Sequence, residues 1–236
     1  MVKPNLLVLA LSLALAATPA LARQDISRVN GAVEVGAGQQ AGKLDTVNGA
    51  IRIGENARTG KAETVNGAIR VGNGAETGAL ETVNGAITLG ERVRAGSLEV
   101  VNGAIRIGAG SRVGSIETVS GGVFVDRGSR VDGSIETVAG AIGLVRTEVS
   151  GDVETVAGDV TIGIGSKVSG KLKVSKPRGL IGARRVPRIV IGPDAVVIGP
   201  LVFEREVRLY VHDSARIGAV SGTVPLPFST PVPPKD

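Results

Sequence analysis

Imidazole and thiol groups, two of the side-chain types that most often carry out catalysis, are almost absent from this sequence. The 236 residues include one histidine, His212, and no cysteine. Thiol chemistry is therefore excluded, and a single imidazole cannot build a three-histidine zinc site. His212 has no recognisable acid–base partner in the sequence, so we expect it to be a strand-end or turn residue. The sequence predicts a protein that is not an enzyme, with no catalytic residue, no metal site and no cofactor.

Carboxylates form the most regular set of charged side chains. They recur at a nearly constant interval, at Asp45, Glu63, Glu81, Glu99, Glu117, Glu136 and Glu154. Like charges stacked at about 4.8 Å repel each other, so this column should face solvent or have cations beside it. A calcium-binding strip is the functional alternative, because stacked carboxylates supply oxygen ligands. No Asp-rich Gly-x-Gly-x-Asp loop is present, so we favour a solvated face.

Two uncharged polar columns accompany the carboxylates. The sequence Val-Asn-Gly-Ala occurs five times at one constant interval, with its asparagines at Asn30, Asn48, Asn66, Asn84 and Asn102. We expect these amides at inner corners, hydrogen-bonded from turn to turn. A threonine column runs beside them, at Thr46, Thr64, Thr82, Thr118, Thr137 and Thr155. An outward threonine ladder would suggest ice binding, but strand propensity explains one threonine per turn. Whether the threonine or the adjacent valine points inward is left open.

The elements that must position these columns follow from the repeat itself. A strict period means that each repeat is one structural unit stacked on the next. Segments such as Ile105-Arg106-Ile107-Gly108 alternate apolar and polar residues and then turn, which is typical of short half-buried strands. We predict an all-β fold, a single-stranded parallel β-solenoid in the form of a triangular β-helix. It has about 18 residues per turn and an atypical C-terminal cap.

The repeat contains one irregularity. The valine column that begins at Val29 continues to Val119, shifts by one residue to Val138, and resumes at Val156 and Val174. A one-residue slip inside a strand would reverse every side chain, so we place the extra residue at a corner near Gly133.

The sequence pattern also bears on handedness. Apolar or threonine residues recur every six positions, as at Ile53, Thr59 and Val65, which is similar to the left-handed hexapeptide helix of many acyltransferases. In that family the residue two positions before each aliphatic one is small and points inward. Here Glu63 and its equivalents occupy that position in one hexad of three, and burying them unpaired would be very costly. We therefore favour a right-handed solenoid.

The later turns carry a second resemblance. They include Val131-Asp132-Gly133-Ser134-Ile135-Glu136, Val149-Ser150-Gly151-Asp152-Val153-Glu154 and Val168-Ser169-Gly170-Lys171-Leu172. These segments resemble the bactofilin family of polymer-forming proteins over roughly residues 29–175. The resemblance implies a right-handed triangular β-helix and a capacity for self-assembly. Bactofilins are cytosolic, whereas this chain is expected to begin with an export signal, so the resemblance implies the architecture and not a cytoskeletal role.

The N-terminal segment is predicted to be a signal peptide, residues 1–22. Lys3 precedes a short apolar stretch, and Ala20-Leu21-Ala22 offers a small-x-small cleavage site. A membrane anchor is the alternative, but the apolar run is short and Pro19 interrupts it. Cleavage predicts an exported protein, either periplasmic or at the cell surface.

The remainder divides into four segments. Regular solenoid repeats cover 23–174, a basic linker covers 175–188, C-terminal solenoid turns that form a cap cover 189–222, and a Pro-rich tail covers 223–236. The tail contains five prolines and should not extend a sheet. Atypical end turns usually prevent uncontrolled stacking, so we favour a cap over a partner-binding end.

One stretch concentrates positive charge without any intervening Asp or Glu. Its residues form a candidate site for an anionic envelope polymer or membrane surface: Lys167, Lys171, Lys173, Lys176, Arg178, Arg184, Arg185 and Arg188. Nucleic acid is not an expected partner, because the chain is exported and no aromatic side chains interleave with these cations to stack bases.

These observations predict a non-catalytic exported solenoid that acts as a structural scaffold or self-assembling protein of the cell envelope. The alternative is a cell-surface or periplasmic binding module, or adhesin, for an anionic envelope polymer. Two classes of partner stay open: further copies of this chain and the anionic polymer or membrane surface. An enzyme would need a concave pocket with acid–base groups, and near-minimal turns predict no cleft walls.

Overall fold

The chain winds into a three-sided parallel β-solenoid. The computed structural model describes residues 23–177 and 185–234. Within these ranges every strand pairs in parallel with the strand one turn away, and no helix occurs. Two of the three sheets have eleven strands each, so the rod has about eleven turns. The predicted fold class and the predicted length of the repeat are confirmed.

Sheet A is the widest face in the first half of the rod, with strands of up to five residues. Its strands are β1 (Ile26–Asn30), β3 (Leu44–Asn48), β5 (Ala62–Asn66), β7 (Leu80–Asn84), β9 (Leu98–Asn102), β12 (Ile116–Ser120), β15 (Ile135–Thr137), β18 (Val153–Thr155), β21 (Leu172–Val174), β24 (Leu201–Phe203) and β27 (Val220–Ser221).

Sheet B has mostly three-residue strands. They are β2 (Val33–Val35), β4 (Ile51–Ile53), β6 (Ile69–Val71), β8 (Ile87–Leu89), β10 (Ile105–Ile107), β13 (Val123–Val125), β16 (Ile142–Leu144), β19 (Val160–Ile162), β22 (Arg188–Ile191), β25 (Arg208–His212) and β28 (Leu226–Phe228).

Sheet C is the narrowest face, with two-residue strands. They are β11 (Arg112–Val113), β14 (Arg130–Val131), β17 (Glu148–Val149), β20 (Lys167–Val168), β23 (Val196–Val197) and β26 (Arg216–Ile217). Single bridges that link Gln40, Arg58, Glu76, Arg94 and Arg112 continue this face towards the N-terminus.

Register follows the repeat and places equivalent residues directly above one another. Leu80 pairs with Leu98, and Ile87 pairs with Ile105, one turn later in each case. Between β12 and β15 the sequence separation of paired residues in sheet A is longer by one residue, so Ile116 pairs with Ile135. The extra residue lies near Gly133, between β14 and β15, where the chain turns from sheet C to sheet A. The predicted corner insertion is confirmed. The prediction that the valine column continues from Val156 to Val174 is wrong, because Val174 pairs with Thr155 and points inward.

Alternation within each strand builds the core. In sheet A the first and third residues point inward, as Leu80 and Thr82 do, while Glu81 and Val83 point outward. Sheet B buries both ends of its strands, for example Ile105 and Ile107 around the exposed Arg106. Each added turn covers the apolar layer beneath it, so one continuous core runs from Val33 to Leu209.

The structure decides which residue of the Thr-Val pair faces the core. Threonine points inward at Thr46, Thr64 and Thr82, and each hydroxyl donates to a glycine carbonyl of the previous turn at 2.9–3.1 Å. The neighbouring valines face solvent. Our argument against left-handed winding placed Val65 inward, as the hexapeptide pattern requires. Val65 faces solvent, so that argument no longer applies, and right-handed winding stays a prediction.

The C-terminal turns belong to the same solenoid. β22 pairs with β19, so the chain re-enters the sheets in register after the segment that follows β21. The expectation that the Pro-rich tail would not extend a sheet is wrong, because β28 contains Pro227 and pairs with β25. β28 is an edge strand, and at an edge the missing N–H of proline breaks no further pairing. Phe228 also packs with Val190 and Tyr210 in a small cluster on sheet B.

The predicted signal peptide lies outside the described residues. Within the described ranges no helix is long and apolar enough to cross a membrane.

A candidate functional site along sheet A

A groove of about 750 Å³ runs along the outer face of sheet A. It extends from Ser27 in the first turn to Ser175 near the far end of the regular repeats. The carboxylate column forms one wall, the valine column forms the other, and the inward-facing threonine column lies between them. Our expectation that minimal turns leave no cleft walls is therefore wrong. Ladders of outward side chains, and not loops, make these walls.

The valine wall is the feature that our sequence reasoning missed. Six valines in consecutive turns expose between 39% and 68% of their surface, namely Val29, Val47, Val65, Val83, Val101 and Val119. The signal was present in Leu80-Glu81-Thr82-Val83, because a period of two that buries Leu80 must expose Val83. Residues that fill the core at the first strand position vary among Leu, Ala, Ile and Val, whereas the exposed valine does not.

Lysines neutralise the acidic wall at its N-terminal end. Lys61 bridges Glu63 and Glu81 in successive turns, at 2.5 and 2.7 Å, and Lys43 contacts Glu63 at 2.7 Å. The pKa of Glu63 is about 2, below its usual 4.5. The larger cause is its hydrogen bond to Lys43 and the next is that to Lys61, because hydrogen bonds from ammonium groups favour the charged carboxylate. The same kind of contact, to Glu63 first and then to Glu81, raises the pKa of Lys61.

Near the other end of the groove Lys171 has the same role. Its ammonium group contacts Glu154 at 2.8 Å and Asp152 at 3.2 Å. Both contacts raise the pKa of Lys171, with that to Glu154 the larger cause. The acidic wall is therefore covered by lysines at both ends.

The middle of the acidic wall has no such cover. Ala79, Ser97, Ser115 and Ser134 stand where Lys43 and Lys61 stand in earlier turns. Within the described residues, Glu99, Glu117 and Glu136 make no ion pair, although the sheet register stacks them directly over one another. Partial burial, followed by the charges of Glu154 and Glu117, raises the pKa of Glu136. This run of three carboxylates is the least compensated part of the groove.

The asparagine ladder is confirmed, but its predicted inner position is wrong. Each amide nitrogen donates to the amide oxygen of the preceding turn at 3.0–3.1 Å, from Asn102 down to Asn30. All five side chains are exposed, at the edge of sheet A beside the valine wall. The ladder stiffens the rim of the groove and contributes no catalytic group.

The predicted cationic patch is spread over several faces. Lys167 lies on sheet C, and Lys173 on sheet A pairs with Glu204 at 2.9 Å. The backbone N–H of Lys176 also donates to Glu204, at 3.2 Å. Arg178 and Arg184 lie outside the described residues.

The remaining cations of that patch are engaged within the chain. Lys171 pairs with two acids, as described above. Arg185 binds Asp159, and Arg188 stacks on Tyr210 with 5.0 Å between the guanidinium carbon and the ring centroid. Three of the six described cations, Lys171, Lys173 and Arg185, therefore pair with carboxylates, and anion binding by the patch stays a prediction.

His212 lies in β25 in the terminal turns. Its Nδ1 is 2.9 Å from the hydroxyl of Ser214 and accepts the Ser214 backbone N–H at 3.1 Å. Its ring meets Phe228 edge-on. These are contacts of a local turn, in line with the expected strand-end position. Within the described ranges, no three His, Asp or Glu side chains are grouped so that they could hold a metal ion.

Comparison with models of known protein families, with curated proteins and with solved structures finds no match.

Proposed function

We propose that this protein is a non-catalytic, exported structural rod that associates side by side with further copies of itself. The observation that carries the proposal is the apolar wall on sheet A, where valines are exposed in six consecutive turns. Contiguous exposed apolar surface rimmed by polar residues is typical of an interaction site. In this chain it forms a continuous stripe, because register repeats the same residue in every turn.

The shape of the groove supports association over catalysis. A catalytic site needs a few convergent groups in one place, whereas this groove repeats the same Glu, Thr and Val from turn to turn. A surface with translational repetition suits a partner that repeats at the same interval. Another solenoid of the same chain has that interval by construction.

Assembly of the purified mature protein tests the proposal. Analytical ultracentrifugation and negative-stain electron microscopy over a range of protein concentrations should show rods that associate laterally. A rod that stays monomeric at every concentration and salt level would contradict the proposal.

A matched pair of variants identifies the surface. Val83→Thr, Val101→Thr and Val119→Thr combined keep β-branched residues in the strands but remove apolar surface, so lateral association should be lost. Ile198→Thr removes a more exposed apolar residue elsewhere on the rod and should leave association unchanged. Equal behaviour of the two variants would exclude sheet A as the contact surface.

A further inference from the structure

Sheet C carries a run of arginines that mirrors the uncompensated carboxylates of sheet A. Arg94, Arg112 and Arg130 project outward from consecutive turns and lie directly over one another. Asp132 contacts Arg112 and Arg130, and Glu148 contacts Arg130, while Arg94 makes no ion pair among the described residues. Arginines stacked at about 4.8 Å repel one another, as the glutamates do.

The two runs match in length and spacing, and they are offset by one turn along the rod. Glu99 and Arg112 belong to the same turn, and so do Glu117 and Arg130. Both runs have three members one turn apart, so the solenoid repeat spaces them equally. Two parallel rods that lie alongside each other with a shift of one turn can therefore bring every arginine of one run to a glutamate of the other.

The valine wall also makes the groove suitable for an arginine side chain. An arginine side chain buries its aliphatic stem against apolar surface while its guanidinium group reaches a carboxylate. Between the acidic wall and the valine wall, the groove offers both surfaces to each incoming side chain. Sheet C is the narrowest face and presents its arginines as a single file, so it is the face that fits a groove.

We propose that the acidic groove of sheet A binds the arginine column of sheet C on a second copy of this chain. This inference rests on the proposed side-by-side association and names the two surfaces that meet. Because the surfaces differ, the contact is heterologous, and each pair of rods keeps one free groove on one member and one free arginine column on the other. Association therefore continues to further copies and weakens as salt screens the charges.

Two charge-reversal variants test the pairing. The groove variant combines Glu99→Arg with Glu117→Arg, and the column variant combines Arg94→Glu with Arg112→Glu. Each should raise the concentration at which half of the rods associate by at least about tenfold, because like charges then face each other at two of the three contacts. The matched controls reverse the same charges elsewhere, with Glu55→Arg and Glu91→Arg, or Arg70→Glu and Arg106→Glu, and should associate as the unmodified rod does.

Mixing the two test variants gives the decisive readout. The groove variant retains its arginine column and the column variant retains its groove, and the reversed groove of one is complementary to the reversed column of the other. An equimolar mixture should therefore associate again, with the two variants alternating. Neither variant should dimerise alone. A misfolded variant could not restore association, and circular dichroism of each variant checks the fold directly.

The outcomes separate this inference from the proposed function. If the unmodified rods associate but the mixture does not, or if the column variant dimerises alone through two grooves, the pairing is overturned and side-by-side association stands. If the unmodified rods never associate, both are overturned.

Discussion

At the scale of single residues, the inward threonines show how one hydroxyl depends on its neighbours. Thr82 donates to the Gly67 carbonyl at 2.9 Å, whereas the buried hydroxyl of Thr118 has no hydrogen-bond partner among the described residues. The turn beneath Thr118 has Val100 at the equivalent position, so apolar packing is already accommodated there. A buried hydroxyl without a partner costs free energy that an apolar group of similar shape does not.

We therefore expect opposite effects from the same substitution. Thr118→Val should stabilise the rod by about 1 kcal/mol, because it removes the unpaired hydroxyl. Thr82→Val, the matched control, should destabilise it by about 1 kcal/mol, because it removes a hydrogen bond. Urea unfolding followed by circular dichroism measures both, and equal losses of stability would show that both hydroxyls are bonded in solution.

The acidic wall makes a second prediction at residue scale, concerning pH. The folded pKa of Glu63, about 2, lies below its usual 4.5, so its stabilising contribution is complete above about 4.5 and is lost as the pH falls towards 2. Lys61→Ala removes one of the cations, so it should raise the pKa of Glu63 and move acid unfolding to higher pH. Lys167→Ala on sheet C removes the same charge from a side chain that forms no ion pair within the described part of the chain, and it should do neither.

NMR titration of labelled glutamate carboxyls would measure this directly. Glu136 serves as an internal reference. Its pKa is raised because its ionised form is disfavoured in the folded rod, so it should take up a proton at a higher pH than Glu63 does. Titration of Glu63 and Glu136 at the same pH would contradict the assigned contacts.

At the scale of elements, the corner between sheets A and B limits how closely turns can stack. A Cβ at Gly67 would overlap the carbonyl oxygen of Gly49 in the previous turn, and the corner glycines above and below are in the same position. These glycines are required by the close approach of one backbone to another. In each recurring Asn-Gly, the asparagine therefore belongs to the outward ladder, and the glycine occupies a corner with no room for a side chain.

This geometry predicts that Gly67→Ala destabilises the rod by about 3 kcal/mol, because the overpacked turns must move apart. Gly122→Ala is the control, since its Cβ would come no closer than 3.4 Å to the Ala141 carbonyl oxygen. That change should alter stability by about 0.5 kcal/mol or less. Thermal unfolding of the two variants is the measurement, and similar melting temperatures would argue against close stacking at this corner.

At the scale of the whole molecule, the solenoid behaves as a one-dimensional stack in which each turn contacts its neighbours. Val33 in the first turn and Val123 in the interior occupy the same inward column of sheet B, and both are almost fully buried. Val123 has a turn on either side, whereas Val33 belongs to the first described turn. End turns can open without disrupting the remainder.

The position of a substitution should therefore matter as much as its chemistry. Val123→Ala should lower the free energy of unfolding by about 2 kcal/mol, because it leaves a cavity that only global unfolding relieves. Val33→Ala should mainly increase hydrogen exchange in β1 and β2 with little change in global stability. Hydrogen exchange and urea unfolding together check this, and equal global losses would show that the rod unfolds as a single cooperative unit.

Much of the fold could be predicted from the sequence, because residues that pair between neighbouring strands are separated by the length of one repeat. The strict spacing of the repeat specifies which residues stack, and the extra residue near Gly133 could be placed at a corner from the alternation alone. The groove could not be predicted in the same way. We left open whether Thr64 or Val65 points inward, because both residues suit a strand, whereas the alternation that starts from Ala62 determines that Thr64 points inward.

The sequence by itself determined that this chain is a stack of β-strand turns with ladders of like residues on its surface. Only the tertiary structure decided what those ladders form together. Whether two columns become the walls of a groove, and which lysines reach which carboxylates, depends on how the chain bends at its corners. Corner geometry arises from contacts between successive turns, which a single repeat does not contain.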